Sequence, residues 1–227
     1  MCMNKFYVVG TPIGNMEDIT LRAMRILSEV DLILCEDTRV THNLLSKYQI
    51  KTPTMSYHAQ SKLSKADKII EMLNEGKNIA LVSDAGTPTI SDPGSLLISQ
   101  IKSACPEVEI IAIPGPSAIV SALSISGLSV AEFTFLGFLP HKKGRETLFK
   151  EIAGSERVMA FYESPHRIMK ALESLKKFVP ERKVVIAREL TKVFEQIVSG
   201  TPEEIIKYFT DNSDKVRGEF VVLVSGK

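Results

Sequence analysis

FYVVGTPIGN, residues 6–15, joins an apolar run to a loop of small and rigid residues. Phe6–Val9 is typical of a buried strand, and Gly10–Asn15 combines two glycines with a proline. Glycine lets a backbone come close to a neighbouring group, while proline fixes the course of the loop. Because ligands of α/β proteins bind where strands pass into such loops, this stretch predicts both a parallel sheet and a binding site.

Outward from this stretch, apolar runs alternate with amphipathic segments. The helix predicted over 19–30 places its apolar side chains on one face, with Asp18 as its expected N-cap. Alternating strands and helices predict a parallel sheet that helices cover on both faces. The predicted strands lie at 6–9, 31–35, 54–57, 78–83 and 109–113, and the predicted helices at 19–30, 39–48, 64–75 and 94–104.

The second half of the chain begins with a poorly periodic stretch, 127–142, that contains one strand. Val221–Val224 is apolar and is expected to close a mixed sheet. The chain is therefore predicted to be an α/β protein with two domains, residues 1–125 and 126–227. The predicted strands of the second domain lie at 133–138, 157–162, 183–188 and 217–224, and its helices at 144–153, 165–178 and 202–210.

The composition is that of an ordinary globular protein, with 44% apolar and 24% charged residues among 227. No run of about 18 apolar residues occurs, and the residues before Phe6 show no signal-peptide pattern. Cys2, Cys35 and Cys105 form neither a disulfide framework nor a metal-ligand pattern, which favours a reducing cytoplasm. No metal is expected, since the four histidines also lack ligand spacing.

The formal net charge of +1 gives the chain little bulk attraction for naked nucleic acid. Residues 1–120 carry 11 Lys and Arg against 13 Asp and Glu, whereas residues 121–227 carry 17 against 14. The second half is therefore mildly basic. This bias permits a partner that bears phosphates without requiring one.

Two more loops rich in glycine and proline follow predicted strands, Ser83–Gly94 and Pro114–Ala118. One such loop is more often a plain turn, but three on one edge of a sheet favour a ligand pocket. Neither a phosphate-binding GxxxxGK[ST] sequence nor a complete GxGxxG is present. The pocket therefore need not hold a di- or triphosphate.

Six segments together resemble one family, the small-subunit ribosomal RNA methyltransferase I family of the tetrapyrrole-methylase fold (class III methyltransferases). The resemblance spans essentially the whole chain. The segments are Gly10–Asn15, Glu36–Arg39, Ser83–Gly94, Pro114–Ala118, Phe161–Arg167 and Ala187–Lys192. What it implies is a homodimer that methylates the 2′-hydroxyl of a cytidine in 16S ribosomal RNA, within the small subunit. S-adenosylmethionine would lie in a cleft between the two domains. Members often carry a further C-terminal helical extension, which residues up to Lys227 do not include.

The resemblance also implies which residues hold the cofactor. Pro12 would lie near the methionine end, the loop after residue 82 along the methionine and ribose, and the amides of Ser117 and Ala118 near a carboxylate or ribose oxygen. Residues of the second domain would cover the adenine. The full set is Pro12, Ser83, Asp84, Ala85, Gly86, Pro88, Ile90, Ser117, Ala118, Tyr162, Glu163 and Ala187. Asp92 is interpreted as a cap of its own turn.

Transfer to a hydroxyl requires the removal of one proton, and a carboxylate after a strand can accept it. Asp37, Glu163 and Glu189 occupy such positions. Each can instead form an ion pair, Asp37 with Arg39, Glu163 with Arg167, and Glu189 with Arg188 or Lys192. Asp37 and Glu189 are the candidates for catalysis, and the ion pair is favoured for Glu163.

Contact with RNA is expected from cations that position phosphates rather than read bases. Arg39 and Arg167 are favoured because they belong to the shared segments. The expected set, placed at the rim of the cleft, is Arg39, Lys142, Lys143, Arg145, His166, Arg167 and Lys192.

Two other functions remain open. A methyltransferase of the same fold can act on a porphyrin or corrin ring, which requires a wide apolar cleft instead of a polar, cation-rimmed one. The rigid loops alone are also compatible with a non-catalytic nucleotide-binding module.

Overall fold

The computed structural model describes residues 4–58, 63–92 and 94–227. Cys2 and Pro93 lie outside the described residues. The chain divides into two compact units, Met1–Ser117 and Ala118–Lys227. The sequence predicts a domain boundary at residue 125, with cofactor loops in the first domain and a second domain that completes the cofactor and substrate cleft. These roles stay predictions.

The first unit is a parallel sheet between two layers of helices. The strands described for it pair in the order β3-β2-β4-β1-β5, all in parallel. They are β1 (Lys5–Val9), β2 (Leu32–Cys35), β3 (Thr54–Ser56), β4 (Ile79–Leu81) and β5 (Glu109–Ile113). The helices are α1 (Leu21–Glu29), α2 (Thr38–Lys47), α3 (Leu63–Asn74) and α4 (Ser95–Ala104).

Side chains of the central strands alternate between two cores, because successive residues of a strand point to opposite faces. Phe6 and Val8 pack in the core beneath α3 and α4, whereas Val9, the neighbour of Val8, packs in the core beneath α1 and α2. Leu32 and Ile33 of β2 divide between the two cores in the same way. Both faces of the sheet are thus covered, which explains why β2 is apolar throughout.

The first helix begins two residues later than the sequence predicts. Thr20, not Asp18, is its N-cap, and the Thr20 hydroxyl accepts a hydrogen bond from the Ala23 amide at 3.1 Å. Asp18 belongs to a short 3-10 turn, Met16–Asp18, that precedes the helix. The prediction of Asp18 as the cap is wrong because this turn occupies the residues next to it.

The second unit is a mixed sheet with helices. The strands described for it have the order β6-β7-β10-β8-β9, in which β6 and β7 are parallel and the other pairs antiparallel. They are β6 (Phe133–Phe138), β7 (Val158–Glu163), β8 (Val184–Arg188), β9 (Gln196–Gly200) and β10 (Phe220–Val224). The helices are α5 (Ala118–Ile125), α6 (Arg145–Gly154), α7 (Ile168–Phe178) and α8 (Pro202–Asp211). This architecture confirms the predicted α/β fold with one parallel and one mixed sheet.

Strand β10 lies at the centre of the second sheet rather than closing it. It pairs with β7 on one side and with β8 on the other, and all five of its residues are buried. The sequence does not predict β9, whose side chains are alternately exposed and partly buried. As an edge strand with one paired neighbour, β9 lacks the continuous apolar run that marks a central strand.

Among the described helices, none combines the length and the apolar composition that a membrane span requires.

Two glycine backbones touch where β1 and β5 end. A Cβ atom added to Gly10 would lie 2.8 Å from the Gly115 Cα, and one added to Gly115 would lie 2.8 Å from the Gly10 Cα. The Gly10 amide also donates to the Ile113 carbonyl at 3.1 Å. Only residues without a side chain therefore allow these loops to approach each other so closely.

We expect Gly10→Ala to lower the free energy of unfolding by roughly 1–3 kcal/mol or more, because the new methyl group meets backbone that must move. Urea unfolding followed by circular dichroism measures the change. Gly154→Ala is the matched control: its added Cβ has no heavy atom within 4 Å, so its stability should be parental or slightly higher. An unchanged urea midpoint for Gly10→Ala would contradict the close contact.

Candidate functional site

Three loops of the first unit lie side by side at one edge of its sheet. They follow β4, β1 and β5, which are neighbours in the sheet. We call residues 10–15, 83–92 and 114–117 the loop cluster. Thr11 and Gly86 exchange two backbone hydrogen bonds of 2.8 and 3.1 Å, and the Thr11 hydroxyl donates to the Ser83 carbonyl at 3.1 Å. These bonds hold the loops after β1 and β4 as one surface.

The backbone is strained in two loops. Five non-glycine residues among those described have a positive φ angle. Thr89 and Ser91, at 75° and 67°, follow β4, while Glu189 and Thr191, at 52° and 65°, follow β8. Each such conformation costs about 1–3 kcal/mol, and residues of this kind concentrate at binding and catalytic sites. The strain therefore marks both loops as candidates for function.

The predicted cofactor residues of the first unit fall within the loop cluster at different depths. Ser83 is buried, whereas Ile90 is 48% exposed. Gly86 has a φ of 79°, and a Cβ added to it would lie 3.5 Å from a methyl group of Ile13. Pro12 and Pro88 are also buried, Asp84 and Ala85 are exposed, and Ser117 is partly buried. Small and rigid residues thus line this edge of the sheet.

The loop cluster carries negative charge without a compensating cation. Residues 10–15, 83–92 and 114–117 contain no Lys or Arg but contain Asp84 and Asp92. Asp84 Oδ1 accepts a hydrogen bond of 3.0 Å from the Asp37 amide, which ties the end of β2 to the end of β4. Such a site attracts a cation and repels a phosphate.

Asp37 is the N-cap of α2 and forms an ion pair with Arg39. Its Oδ1 accepts from the Arg39 amide at 2.8 Å, and its Oδ2 lies 2.6 Å from Arg39 Nη2. Hydrogen bonds from the Arg39 side chain and amide lower the pKa of Asp37 to about 2. The ion pair considered from the sequence is confirmed, and it makes Asp37 a weak proton acceptor at neutral pH.

Asp92 has the opposite electrostatic surroundings. Burial and, to a lesser extent, the nearby Glu36 and Asp84 carboxylates raise the pKa of Asp92 to about 6, against the opposing effect of a hydrogen bond with Ser83. Sequence reasoning missed this residue, because an aspartate before proline and glycine is typical of a turn. Its position in a long loop after a strand is the signal that could have identified it.

In the second unit, Glu163 is fully buried between two arginines. Its Oε2 lies 3.3 Å from Arg145 Nη1 and its Oε1 lies 2.6 Å from Arg167 Nη2. The ion pair favoured for Glu163 is therefore confirmed. Both carboxylate oxygens of Glu163 are engaged in these pairs, so its side chain is not available to cover an adenine. For the backbone of Glu163 that role stays a prediction.

Arg145 does not have the exposed position that the sequence predicts. It is 8% exposed, and besides Glu163 its Nη1 donates to the Pro140 carbonyl at 3.2 Å. Although it begins α6, its side chain turns inward because the buried Glu163 requires a counter-charge. Arg167 is also mostly covered, with 17% of its side chain exposed. Contact of either residue with RNA stays a prediction.

Glu189 lies in a network at the end of β8. Its Oε1 accepts from Lys192 Nζ at 3.0 Å and from the Glu219 amide at 2.9 Å. Burial raises the pKa of Glu189, but these hydrogen bonds outweigh it and hold the pKa below its ordinary value. Of the two alternative pairs, the structure confirms the one with Lys192, whose Nζ also lies 2.9 Å from Glu219.

The remaining predicted residues differ in exposure. Tyr162 is partly buried at the end of β7, and Ala187 is fully buried in β8. Ala118 begins α5. Four of the residues predicted to contact RNA are exposed: Arg39, Lys142, Lys143 and His166. In the described part of the chain, His, Cys, Asp and Glu side chains form no group of three or more that could hold a metal ion.

Comparison with known proteins gives consistent similarities. The sequence profile of the family Tetrapyrrole (Corrin/Porphyrin) Methylases matches residues 5–206. Ribosomal RNA small subunit methyltransferase I of Thermotoga maritima is 45% identical over 99% of this chain and 100% of that protein. The protein of the same name from Synechocystis is 46% identical over 99% of this chain and 80% of that protein.

Among solved structures, cobalt precorrin-4 methyltransferase, an enzyme of cobalamin biosynthesis, superposes with a TM-score of 0.68. The match covers 97% of this chain and 94% of that one at 17% sequence identity, which shows a common fold. Methyltransferases of this family and fold use S-adenosylmethionine.

We expect Asp92→Asn to stabilise the protein at pH 8 by roughly 1–3 kcal/mol and to leave its stability unchanged near pH 4. The folded state holds the Asp92 proton up to about pH 6, whereas the unfolded chain loses it near pH 4. Stability of the parental protein therefore falls as pH rises between these values, and Asn removes this loss.

Urea unfolding at pH 4, 6 and 8 measures this difference. Asp67→Asn, at an exposed position on α3, is the control and should shift stability by less than about 0.5 kcal/mol at each pH. A gain for Asp92→Asn that is equal at pH 4 and pH 8 would contradict the raised pKa.

Proposed function

The chain belongs to the ribosomal RNA small subunit methyltransferase I family within the tetrapyrrole methylases, and on this premise we propose that it methylates ribosomal RNA. The methyl group comes from S-adenosylmethionine, and the acceptor is the 2′-hydroxyl of a cytidine in 16S RNA of the small subunit. The observation that carries the proposal is identity of 45% over the whole length of a relative with that name. The choice of the cytidine 2′-hydroxyl rests on the resemblance of the six sequence segments.

The charge of the loop cluster supports S-adenosylmethionine as the ligand. That cofactor has two positive groups and one carboxylate, whereas ATP and NAD carry phosphates. The loop cluster presents Asp84 and Asp92 and contains no Lys or Arg. When bound, S-adenosylmethionine supplies a methyl group on a sulfonium sulfur, which leaves as a neutral thioether.

The residues that would hold the cofactor act mainly through backbone and small side chains. Pro12, Gly86 and Pro88 give a rigid floor, which the paired hydrogen bonds of Thr11 and Gly86 keep in place. Ser83, Asp84, Ala85, Ile90 and Ser117 complete the set in the first unit, and Ala118, Tyr162, Glu163 and Ala187 in the second. A floor that is formed before binding contributes to rate by positioning, because no reorganisation is needed at the moment of reaction.

Proton removal is the remaining chemical task, and the structure favours Asp92 for it. A base works best when its pKa is near the operating pH, and that of Asp92 is raised to about 6. Asp92 also lies half-buried in the loop cluster beside Ser83, where water is partly excluded. Asp37 and Glu189 stay candidates from the sequence, but hydrogen bonds lower the pKa of both, from Arg39 to Asp37 and from the Glu219 amide and Lys192 to Glu189.

Exposed cations would place the RNA by its phosphates. The exposed members of the predicted set are Arg39, Lys142, Lys143 and His166. Arg145 and Arg167 share one carboxylate and would attract RNA through the positive charge that it leaves uncompensated. Lys192 faces two carboxylates, and its contact with RNA stays a prediction. The proposal includes a homodimer that works in the cytoplasm, as the resemblance implies. Size-exclusion chromatography with light scattering tests the dimer.

We expect S-adenosylmethionine, but neither ATP nor NAD, to raise the melting temperature of the protein. Gly86→Val should remove this stabilisation, because a β-branched residue is strained at a φ of 79° and fills the surface beside Ile13. Gly154→Ala is the folded control that keeps it. Stabilisation by ATP or NAD in place of S-adenosylmethionine would support a nucleotide-binding module instead.

Transfer itself is tested with labelled S-adenosylmethionine and small ribosomal subunits from cells that lack this protein. Label on the 2′-oxygen of one cytidine in 16S RNA supports the proposal. Label on a base, or on an added porphyrin or corrin and not on RNA, would overturn it.

We expect Asp92→Asn to slow single-turnover transfer about a hundredfold or more with both ligands still bound, since the amide cannot accept the proton. The parental rate should fall below about pH 6, where Asp92 is protonated, and the variant should lose this dependence. Asp37→Asn and Glu189→Gln are the matched amide variants. A hundredfold loss in either of them, with a parental rate for Asp92→Asn, would return the role to that carboxylate.

A further inference from the structure

A β-bulge changes the face of the sheet on which the last side chain of β6, that of Phe138, lies. Phe135 pairs with Ala160 and Phe138 pairs with Tyr162. An advance of three residues along β6 therefore matches an advance of only two residues along β7. Gly137, with a φ of 64°, lies within the irregularity. Because side chains alternate along a strand, one extra residue moves Phe138 to the face that Gly137 would otherwise occupy.

The bulge brings three aromatic rings together at the carboxyl ends of β6 and β7. The Tyr162 ring lies 4.9 Å from the Phe135 ring and 5.4 Å from the Phe138 ring, measured between centroids. Phe138 is nevertheless 59% exposed. Phe138 thus contacts Tyr162 and still has most of its surface exposed, which leaves room for a planar group to stack on it.

Two arginine side chains fix the backbone that follows Phe138. The Leu139 carbonyl accepts from Arg167 Nη1 at 3.0 Å, and the Pro140 carbonyl accepts from Arg145 Nη1 at 3.2 Å. Both guanidinium groups are themselves held by the buried Glu163. An exposed aromatic ring on a segment clamped in this way loses little conformational entropy when it binds.

Positively charged residues follow the ring a few positions along the sequence. After Leu139 and Pro140 the chain continues with His141, Lys142 and Lys143, which are all exposed. No acidic residue occurs between Phe133 and Arg145. One carboxylate, Glu163, serves two arginines beneath the segment, so the buried pairs also leave an excess of positive charge.

We propose that Phe138 stacks on an unpaired base of the RNA substrate while Lys142 and Lys143 bind the phosphates beside that base. An aromatic ring next to lysines is the combination by which proteins bind single-stranded nucleic acid, since every base has a face that can stack. A second copy of this chain or another protein fits less well, because two exposed lysines would have to be desolvated. The inference deepens the proposed function and rests on it.

The test compares Phe138→Ala and Phe138→Trp for binding to small ribosomal subunits from cells that lack this protein. We expect Phe138→Ala to weaken binding about tenfold or more and Phe138→Trp to restore it, because tryptophan also stacks. Phe133→Ala is the matched control: Phe133 is 41% exposed at the other end of the same strand and should bind as the parental protein does.

A charge variant tests the phosphate contacts separately. Lys142→Ala with Lys143→Ala should weaken binding and reduce its salt dependence, because two phosphates are no longer neutralised. Lys207→Ala, at an exposed position on α8, removes a charge elsewhere and should have little effect. Melting temperatures and affinity for S-adenosylmethionine should stay parental in every variant.

A photoreactive amino acid at position 138 identifies the occupant. We expect a crosslink to 16S RNA from position 138 and none from position 133. Parental binding by Phe138→Ala, a loss of S-adenosylmethionine affinity instead, or a crosslink to protein would overturn the inference. The proposed function fails separately, if the parental protein transfers no methyl group to the small subunit.

Discussion

The contact between the backbones of Gly10 and Gly115 is the constraint on which the first unit depends. A single added methyl group at either position would lie 2.8 Å from the other backbone. The contact lets the loops after β1 and β5 approach each other, and the hydrogen bonds between Thr11 and Gly86 add the loop after β4. Because three adjacent strands hold these loops in place, the backbone alone defines the surface of the loop cluster. This explains why small residues and prolines, rather than charged groups, dominate the loop cluster.

Electrostatics assign different tasks to the two units, each considered by itself. The loop cluster of the first unit has carboxylates and no cation, which suits a positively charged cofactor. In the second unit the segment after β6 carries exposed lysines, and its backbone is bound by two arginines that share the buried Glu163 carboxylate. A net charge of +1 for the whole chain conceals this separation. The low total also limits non-specific attraction to RNA, so selectivity must come from local contacts.

Sequence patterns predicted the elements whose signals are local, and they missed those that depend on pairing. Apolar runs such as Phe6–Val9 and glycine- or proline-rich loops follow directly from residue type, so the strands, the loops and the fold class were predictable. The central position of β10 and the existence of β9 depend on which strands pair. The burial of Arg145 depends on Glu163, 18 residues away. The raised pKa of Asp92 depends mainly on its burial and to a lesser extent on Glu36 and Asp84, and these surroundings exist only in the folded unit.

The position of β10 also bears on synthesis by the ribosome. The strand at the centre of the second sheet, Phe220–Val224, is the last of that sheet to be translated. Strands β7 and β8, on either side of it, therefore have a gap between them until residue 224 has left the exit tunnel. The parallel sheet of the first unit is complete by residue 113 and can form earlier, since domains generally fold in order of emergence. An early stop before residue 220 would thus leave two unpaired inner strand edges, which are prone to aggregation, beside an intact first unit.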